Sequence, residues 1–388
     1  MSTLAASCRL KGVPMLHLDS PTQIGGDDGV FVVVRGWYAG KQTATRIEAR
    51  LGTARFSCAF DSRPDVAAVY SQYHSTGFVA VVNLLDGTTD LTGTVELQIV
   101  VNEGMDTASF RLPVDKPLPQ AIARARQAEA RKNAWLKQHL PARLGYDGKR
   151  PLWHVSDELK KALQLDPTSN ISAHRYDDIA KGIIADVAAR DGMVLDCGAG
   201  LRHEPNAHVV TSEIVDYPST DVVCPNEDLP FADNSFDAVF SLNVLEHVAD
   251  PFKSAAELLR VVKPSGRIYA VAPLLQPEHG YPHHFYNMTR EGMRRLFVRP
   301  EAGLPGVDVQ RQWVSRAGEP MATLHWFLNS YLRGLPEKER AQFSKLRVSD
   351  IVAKLPSDWN SEGVVTALSD GARWELACTT SIVLTKKA

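Results

Sequence analysis

In the first third of the chain, apolar residues fall in short, β-branched runs separated by glycine-containing turns. Val30 to Arg35 is one such run and leads into Gly36-Trp37, while Phe78 to Leu84 and Gly93 to Val101 repeat the pattern. Gly25-Gly26-Asp27-Asp28-Gly29, Asp86-Gly87 and Glu103-Gly104 lie between them, and residues of these types tolerate the positive φ that tight turns demand. Short strands at this spacing predict a small all-β sandwich over residues 1–115. Pro113 to Pro119 breaks the pattern, and a helix from Pro119 to Leu140 opens a linker that runs over residues 116–150. Arg124, Arg126, Arg131, Lys132 and Lys137 make this helix basic, which fits either a solvated connector or a surface for an anionic glycan or membrane.

From Pro151 the periodicity changes, and residues 151–388 read as an α/β domain. Tyr176 to Arg190 carries Ile179, Ile183, Ile184 and Val187 at helical spacing. Met193 to Asp196, Val209 to Glu213, Ala238 to Leu242 and Arg267 to Ala272 are each short and apolar. Helices alternating with buried strands predict a mostly parallel sheet covered on both faces. Asp250 is placed to cap a helix with Pro251 at its first position and Phe252, Ala255, Leu259 and Val262 as its buried stripe. Near the end, Val307 to Val314 and Trp374 to Leu384 read as strands. Between them Met321 to Arg333 and Glu337 to Lys354 read as helices, an insertion over about 318–365 that shapes a substrate pocket or an oligomer contact. Trp326, Phe327 and Tyr331 recur there at helical spacing, which reads as core.

Composition narrows the function classes. Of 388 residues, 44% are hydrophobic and 23% charged, and the formal net charge is −2. A dedicated nucleic-acid binder needs a basic face to neutralise phosphates, so that class is set aside. Cys8, Cys58, Cys197, Cys224 and Cys378 are scattered and form no Cys-x-x-Cys pair, so neither a disulfide framework nor a structural zinc site is expected. No apolar run approaches the roughly 18 residues of a membrane span, and residues 1–12 lack the apolar centre of a secretion signal. A cytoplasmic protein is expected, with peripheral membrane association left open and no oligomeric state legible.

The chemistry begins at Val194-Leu195-Asp196-Cys197-Gly198-Ala199-Gly200, a buried strand running into a glycine turn at the carboxyl edge of the sheet, where α/β proteins bind ligands. A dinucleotide site continues to a third glycine, and that place is held by His203. Glu213 follows at the end of Val209-Val210-Thr211-Ser212, placed either to accept both hydroxyls of a ribose or to sit as a surface carboxylate. The gap between these strands is so short that the intervening helix must be abbreviated or replaced by a loop. Further on come Asn226-Glu227-Asp228-Leu229-Pro230-Phe231, then Asp233-Asn234-Ser235-Phe236-Asp237, and, just past the next strand, Asn243-Val244-Leu245-Glu246-His247-Val248.

In order and spacing these elements resemble the methyltransferase type 11 branch of the class I S-adenosylmethionine-dependent methyltransferases, over about residues 170–315. The resemblance implies a Rossmann-like, mostly parallel seven-stranded sheet whose last two strands form an antiparallel hairpin. It implies S-adenosyl-L-methionine as cofactor, with Asp196, Gly198, Ala199 and Gly200 around its methionine part and Glu213 on the ribose. Asn226, Glu227 and Leu229 would frame the adenine, and Asn243 would line the methyl-donor side. The acidic residue common before Leu-Pro-Phe aligns here with Pro225. Gly36-Trp37, Arg63-Pro64-Asp65-Val66, Tyr70 and Gly77-Phe78 in turn resemble an Ig-like accessory module found beside enzymes of bacterial cell-surface glycan assembly. That second resemblance implies a sugar or glycan-related acceptor for O-methylation, with a small metabolite as the other reading.

The stretch Gln276 to Thr289 follows the strand ending at Ala272, where a substrate is expected to meet the methyl group. His279 and His283 are the candidate general bases and His247 a third, with Tyr281, His284, Tyr286 and Asn287 as candidate substrate contacts. Pro282 and the loop context argue against metal ligation by His279, His283 and His284, so no metal is assigned. Other readings of the stretch are a packed lid whose histidines cap backbone groups and, for the whole chain, a nucleotide-dependent oxidoreductase or a non-catalytic cofactor-binding protein.

Overall fold

A computed structural model describes residues 15–25, 29–86, 93–115, 118–140, 145–146, 151–152, 171–280, 283–297, 320–354 and 361–376. The chain divides into two compact units, one of residues 1–244 with 252–270 and one of residues 245–251 with 271–388. None of the described helices is long and apolar enough to cross a membrane.

The first unit opens with β1 (Met15–Ser20), β2 (Phe31–Gly40), β3 (Ile47–Leu51), β4 (Ala54–Ser57) and β5 (Ala59–Asp61). A short helix α1 (Pro64–Val69) precedes β6 (His74–Asn83), β7 (Thr94–Val101) and β8 (Asp106–Pro113). They form two four-stranded antiparallel sheets, ordered β1-β2-β6-β5 and β4-β3-β7-β8. Alternate residues of the two sheets, among them Val32, Val34, Phe78, Leu97, Ile99 and Phe110, share one core. This is a β-sandwich, as the turn spacing predicts. The Val30–Arg35 run has no polar alternation because both faces of β2 are covered. Phe31 and Val33 pack on the outer side against Ala121 and Ala125 of α2 (Leu118–His139) and against Leu201 and Tyr217.

Helix α2 departs from the solvated connector expected of a basic segment. Leu118, Ala121, Ala125, Ala128, Lys132 and Leu136 recur every three or four residues and form a buried face. Of the basic residues, Arg131 bonds the Ala207 carbonyl at 3.1 Å and pairs with Asp191 at 2.8 Å. Lys132 is 2% exposed and pairs with Asp221 at 2.7 Å, an oxygen that also accepts from the Thr211 amide at 2.8 Å. The helix is thereby fastened to the α/β sheet by a buried charge pair.

That sheet is ordered β15-β14-β11-β12-β13-β10-β9, with β9 (Gly145–Tyr146), β10 (Pro151–Leu152), β11 (Val194–Cys197), β12 (Val209–Glu213), β13 (Val222–Val223), β14 (Phe236–Leu242) and β15 (Val262–Val271). Its parallel part is the five-stranded run β14-β11-β12-β13-β10. Helix α3 (Asp178–Ala188), capped by Asp177 on the Ala180 amide, buries Ile183, Ile184 and Val187 against β11, β12 and β14. The connection from β11 to β12 holds no helix, in line with its short length. Helix α4 (Pro251–Val261) buries Ala255, and Val262 just past its end is buried as expected, whereas Phe252 is exposed, Leu259 is half-buried and Leu258 and Val261 are buried in addition.

Two expectations for the end of the chain change. Trp374 and Glu375 belong to a helix, α10 (Asp370–Glu375), and do not open a strand. One edge of the sheet is formed by β10 and β9, the latter antiparallel, from residues upstream of the glycine turn. Residues 307–314 and 377–384 lie outside the described residues. In the second unit, α5 (Arg290–Phe297), α6 (Pro320–Arg333), α7 (Glu337–Phe343), α8 (Val348–Ala353) and α9 (Gly363–Thr366) complete the helices, so the single helix expected over 337–354 is two. Leu335, Leu368 and Ala372 form a small core with Tyr331 and Phe343 packed on it, while Trp326 is 43% exposed and is not core.

Lys132→Met keeps the apolar stem but leaves Asp221 without its cation, and we expect it to cost about 3–5 kcal/mol in urea unfolding. Lys132→Met combined with Asp221→Asn should recover most of that loss. A single-variant cost below about 1 kcal/mol would mean that the pair does not fasten α2.

Candidate cofactor site

At the carboxyl end of β11 the chain turns through Gly198 and Gly200, whose φ values of +72° and +61° lie in the left-handed region. Space demands glycine there as well. A Cβ at Gly198 would stand 2.6 Å from the Val244 methyls, and one at Gly200 would stand 2.7 Å from the Ser172 carbonyl oxygen. The amides of Gly198 and Ala199 donate to the Ser212 carbonyl at 2.9 and 3.1 Å, and that of Gly200 to Glu213 Oε2 at 2.8 Å. The turn is therefore clamped to the end of β12.

Asp196 is fully buried. Its Oδ2 accepts from Tyr176 Oη at 2.6 Å and from Arg202 Nε and Nη2 at 2.9 and 2.8 Å. The Arg202 guanidinium lies 4.2 Å over the Tyr176 ring and also donates to the His174 carbonyl at 2.6 Å. Burial and the Asp196 charge push the Tyr176 hydroxyl well up, so it stays a donor. The other oxygen, Oδ1, is buried with no hydrogen-bond partner among the described residues. A buried carboxylate oxygen left bare in this way costs free energy unless a ligand or water supplies a donor.

Glu213 is half-buried, and burial raises its carboxyl above the ordinary range against the pull of the amides bonded to it. Its Oε1 accepts from the Ile214 amide at 2.7 Å and the Val215 amide at 3.4 Å, whereas Oε2 holds one backbone donor, the Gly200 amide, and keeps a second lone pair. Asn226 is buried and accepts from the Cys197 thiol at 3.0 Å. Leu229 is buried, with its amide on Glu257 Oε2 at 2.8 Å and its carbonyl on Arg260 at 2.9 Å. Arg260 also holds the Phe231 carbonyl at 2.6 Å, so α4 fixes the whole Leu-Pro-Phe segment. Glu227 is half-buried, Ala199 is buried, and Asn243 is exposed with φ +58° in the turn that carries Val244 over Gly198.

The histidines belong to the second unit. His247, His279 and His284 come together, with ring centroids 5.4 Å apart for His247–His279 and 4.3 Å for His279–His284. His283 does not join them. Its carbonyl accepts from His247 Nδ1 at 2.6 Å, while its ring stands 5.3 Å from Phe285 and makes no hydrogen bond among the described residues. His284 accepts from the His279 amide at 3.1 Å and bonds Asn287 Oδ1 at 3.1 Å. Tyr286 Oη donates to the Ala249 carbonyl at 3.0 Å, and Tyr281 lies outside the described residues. Glu246 is fully buried, neither of its carboxyl oxygens has a hydrogen-bond partner among the described residues, and burial pushes it up to about 8.

Five residues of these surroundings escaped the sequence reading: Tyr176, Arg202, Glu246, Glu257 and Arg260. Each is an ordinary polar residue on a helix or loop until tertiary structure buries it, and only the partner it meets, or lacks, makes it informative.

Comparison with known proteins bears on the same segment. Residues 186–270 match the family described as a methyltransferase domain. A demethylmenaquinone methyltransferase of Clavibacter sepedonicus is 31% identical over 146 residues, which is 35% of this chain and 58% of that protein. An uncharacterized methyltransferase of Mycolicibacterium gilvum is 55% identical over 80 residues, 19% of this chain and 31% of the other. Phosphoethanolamine N-methyltransferase 2 of Haemonchus contortus, solved with S-adenosyl-L-methionine, matches at 13% identity with a TM-score of 0.25, over 81% of this chain and 66% of that one. The chain spans 58%, 49% and 62% of the length of three demethylmenaquinone methyltransferases that it matches. The matched residues 186–270 run from α3 through the glycine turn to β15.

Proposed function

We propose that the protein is an S-adenosyl-L-methionine-dependent methyltransferase whose cofactor binds at the carboxyl ends of β11, β12 and β14. The observation that carries this reading is the bare, buried Oδ1 of Asp196 beside a glycine turn that has no room for side chains. A ligand with an ammonium group fits that oxygen, and a flat, polar ligand fits a backbone that glycine keeps bare. Asp196, Gly198, Ala199 and Gly200 would hold the methionine part. Glu213, with a spare lone pair on Oε2, would take the ribose hydroxyls, and Asn226, Glu227 and Leu229 the adenine. Asn243 would line the methyl-donor side.

The cofactor supplies a methyl group already activated on a sulfonium, so the protein's work is alignment and exclusion of water. The Asp196–Arg202–Tyr176 cluster keeps one wall of the site rigid, and Arg260 with Glu257 keeps the Leu229 wall in place. A hydroxyl acceptor also needs a group to take its proton. We assign that role to His283, whose imidazole makes no hydrogen bond among the described residues, with His279 and His247 as the remaining candidates. A sugar or glycan-related hydroxyl is the acceptor that we put first, on the strength of the β-sandwich module ahead of the domain. The demethylmenaquinone methyltransferases among the relatives favour a second reading, an isoprenoid quinone precursor.

Calorimetric titration tests the cofactor. S-adenosyl-L-methionine should bind at micromolar concentration, NAD should not, and Glu213→Ala should weaken binding by at least about tenfold, or roughly 1.4 kcal/mol. Failure of the folded protein to bind would end the enzyme reading. Turnover on matched sugar and quinone acceptors then tests the base: His283→Ala should lower kcat on a hydroxyl acceptor by about 10²-fold or more and leave cofactor affinity unchanged. Unchanged turnover would remove His283 from the mechanism.

A further inference from the structure

We propose that Glu246, His247 and His279 form a divalent transition-metal site of the zinc type, with a fourth position open to an oxygen ligand. One ligand atom from each of the three residues lies within 4.8 Å of the other two. Tetrahedral ligands at about 2.0–2.1 Å from zinc stand roughly 3.4 Å apart, so side-chain rotations of about an ångström close the site.

The tautomers point the same way. His247 Nδ1 is 2.6 Å from the His283 carbonyl oxygen and His279 Nδ1 is 2.8 Å from that of Pro277. A carbonyl oxygen can only accept, so both Nδ1 atoms carry the proton and both Nε2 atoms are left with a lone pair. A ring nitrogen fixed by a backbone carbonyl while the other faces outward is the arrangement that orients metal-binding imidazoles. His247 Nε2 lies 3.9 Å from Glu246 Oε1. Glu246 itself is fully buried with both oxygens unpartnered, a state that a cation relieves and that nothing among the described residues does.

His284 is excluded as a ligand by the same accounting. Its Nδ1 accepts from the His279 amide, so its Nε2 carries the proton and donates to Asn287. Gly280 completes the site sterically: at φ +104°, a Cβ there would lie 2.4 Å from the His247 ring, so only glycine lets the His279 loop pass over it. His279 also lines an open cavity of about 400 Å³ with Glu278, His283 and Glu375, which gives an ion or its oxygen ligand a way in. The ligand trio thus differs from the three histidines that are close in sequence, for which no metal was expected. Two histidines and one carboxylate are a set that zinc accepts with water in the remaining position, and such a metal makes the bound oxygen acidic.

The test uses the full chain after chelation, titrated with Zn²⁺ and separately with Co²⁺, and needs no methyl donor. One equivalent should bind, with the visible absorption of low-coordinate cobalt. Glu246→Gln and His279→Ala should each weaken binding at least about tenfold, while His325→Ala, on α6 and outside the trio, should leave it unchanged. Circular dichroism of the metal-free variants separates lost ligation from lost folding, and Glu246→Gln preserves the shape of the side chain. Absence of binding would overturn the assignment, as would binding that Glu246→Gln and His279→Ala retain in full. Cofactor affinity measured on the same samples keeps this outcome distinct from the methyltransferase reading.

Discussion

A buried carboxylate shared between an arginine and a tyrosine is the constraint on which the rest of the first unit depends. Asp196 ends β11 inside the protein, and Arg202, only six residues later, returns to bond it. The glycine turn is what lies between them, so closing this pair closes the turn. Tyr176 sits ahead of α3, which means that the same carboxylate also sets where the preceding helix begins. Removing either partner of such a pair leaves the other charged and dry, a loss of several kcal/mol. The free oxygen of Asp196 is then a consequence of geometry: three donor atoms from two side chains are spent on Oδ2 and Oδ1 is left for a ligand.

The β-sandwich enters this scheme through the same loop. Parallel strands need a long crossover, usually a helix, and the connection from β11 to β12 has none. Leu201 in that connection instead packs against Val30 and Phe31 of the sandwich and against Ala121 and Ala125 of α2. His203 stands where a dinucleotide site would carry its third glycine, and its carbonyl accepts from the amides of Val30 and Phe31 at 2.9 and 3.2 Å. Opposite it, Gly29 has no room for a side chain, since a Cβ would come 2.3 Å from that carbonyl. The sandwich and α2 therefore cover the loop that a crossover helix would otherwise cover. That gives the N-terminal module a structural role in holding the glycine turn, whatever else it binds.

Much of this was legible in the sequence because period and punctuation are local properties. Short β-branched runs and glycine turns pointed to the sandwich strands, and the Val194–Gly200 pattern to the turn with its two left-handed glycines. The spacing between Gly200 and Glu213 called for an abbreviated helix or a loop, and the connection is a loop. What failed was what depends on partners distant in sequence. The basic helix α2 reads as solvated, yet Lys132 is buried because Asp221 waits 89 residues away. In the stripe of α4, Leu258 is buried more fully than the expected Leu259, because neighbouring leucines satisfy two registers equally well. The histidines were grouped by closeness along the chain, whereas the fold groups His247 with His279 and turns the ring of His283 elsewhere.

The most direct test of the central claim is amide hydrogen exchange across the whole chain, with and without S-adenosyl-L-methionine. Slowed exchange should appear in the segments 196–203, 213–215 and 225–229, and the amides of Val30 and Phe31, tied to His203, should slow with them. Binding without protection of the glycine turn, or protection of the turn with no response at Val30 and Phe31, would contradict the account of a cofactor loop braced by the β-sandwich.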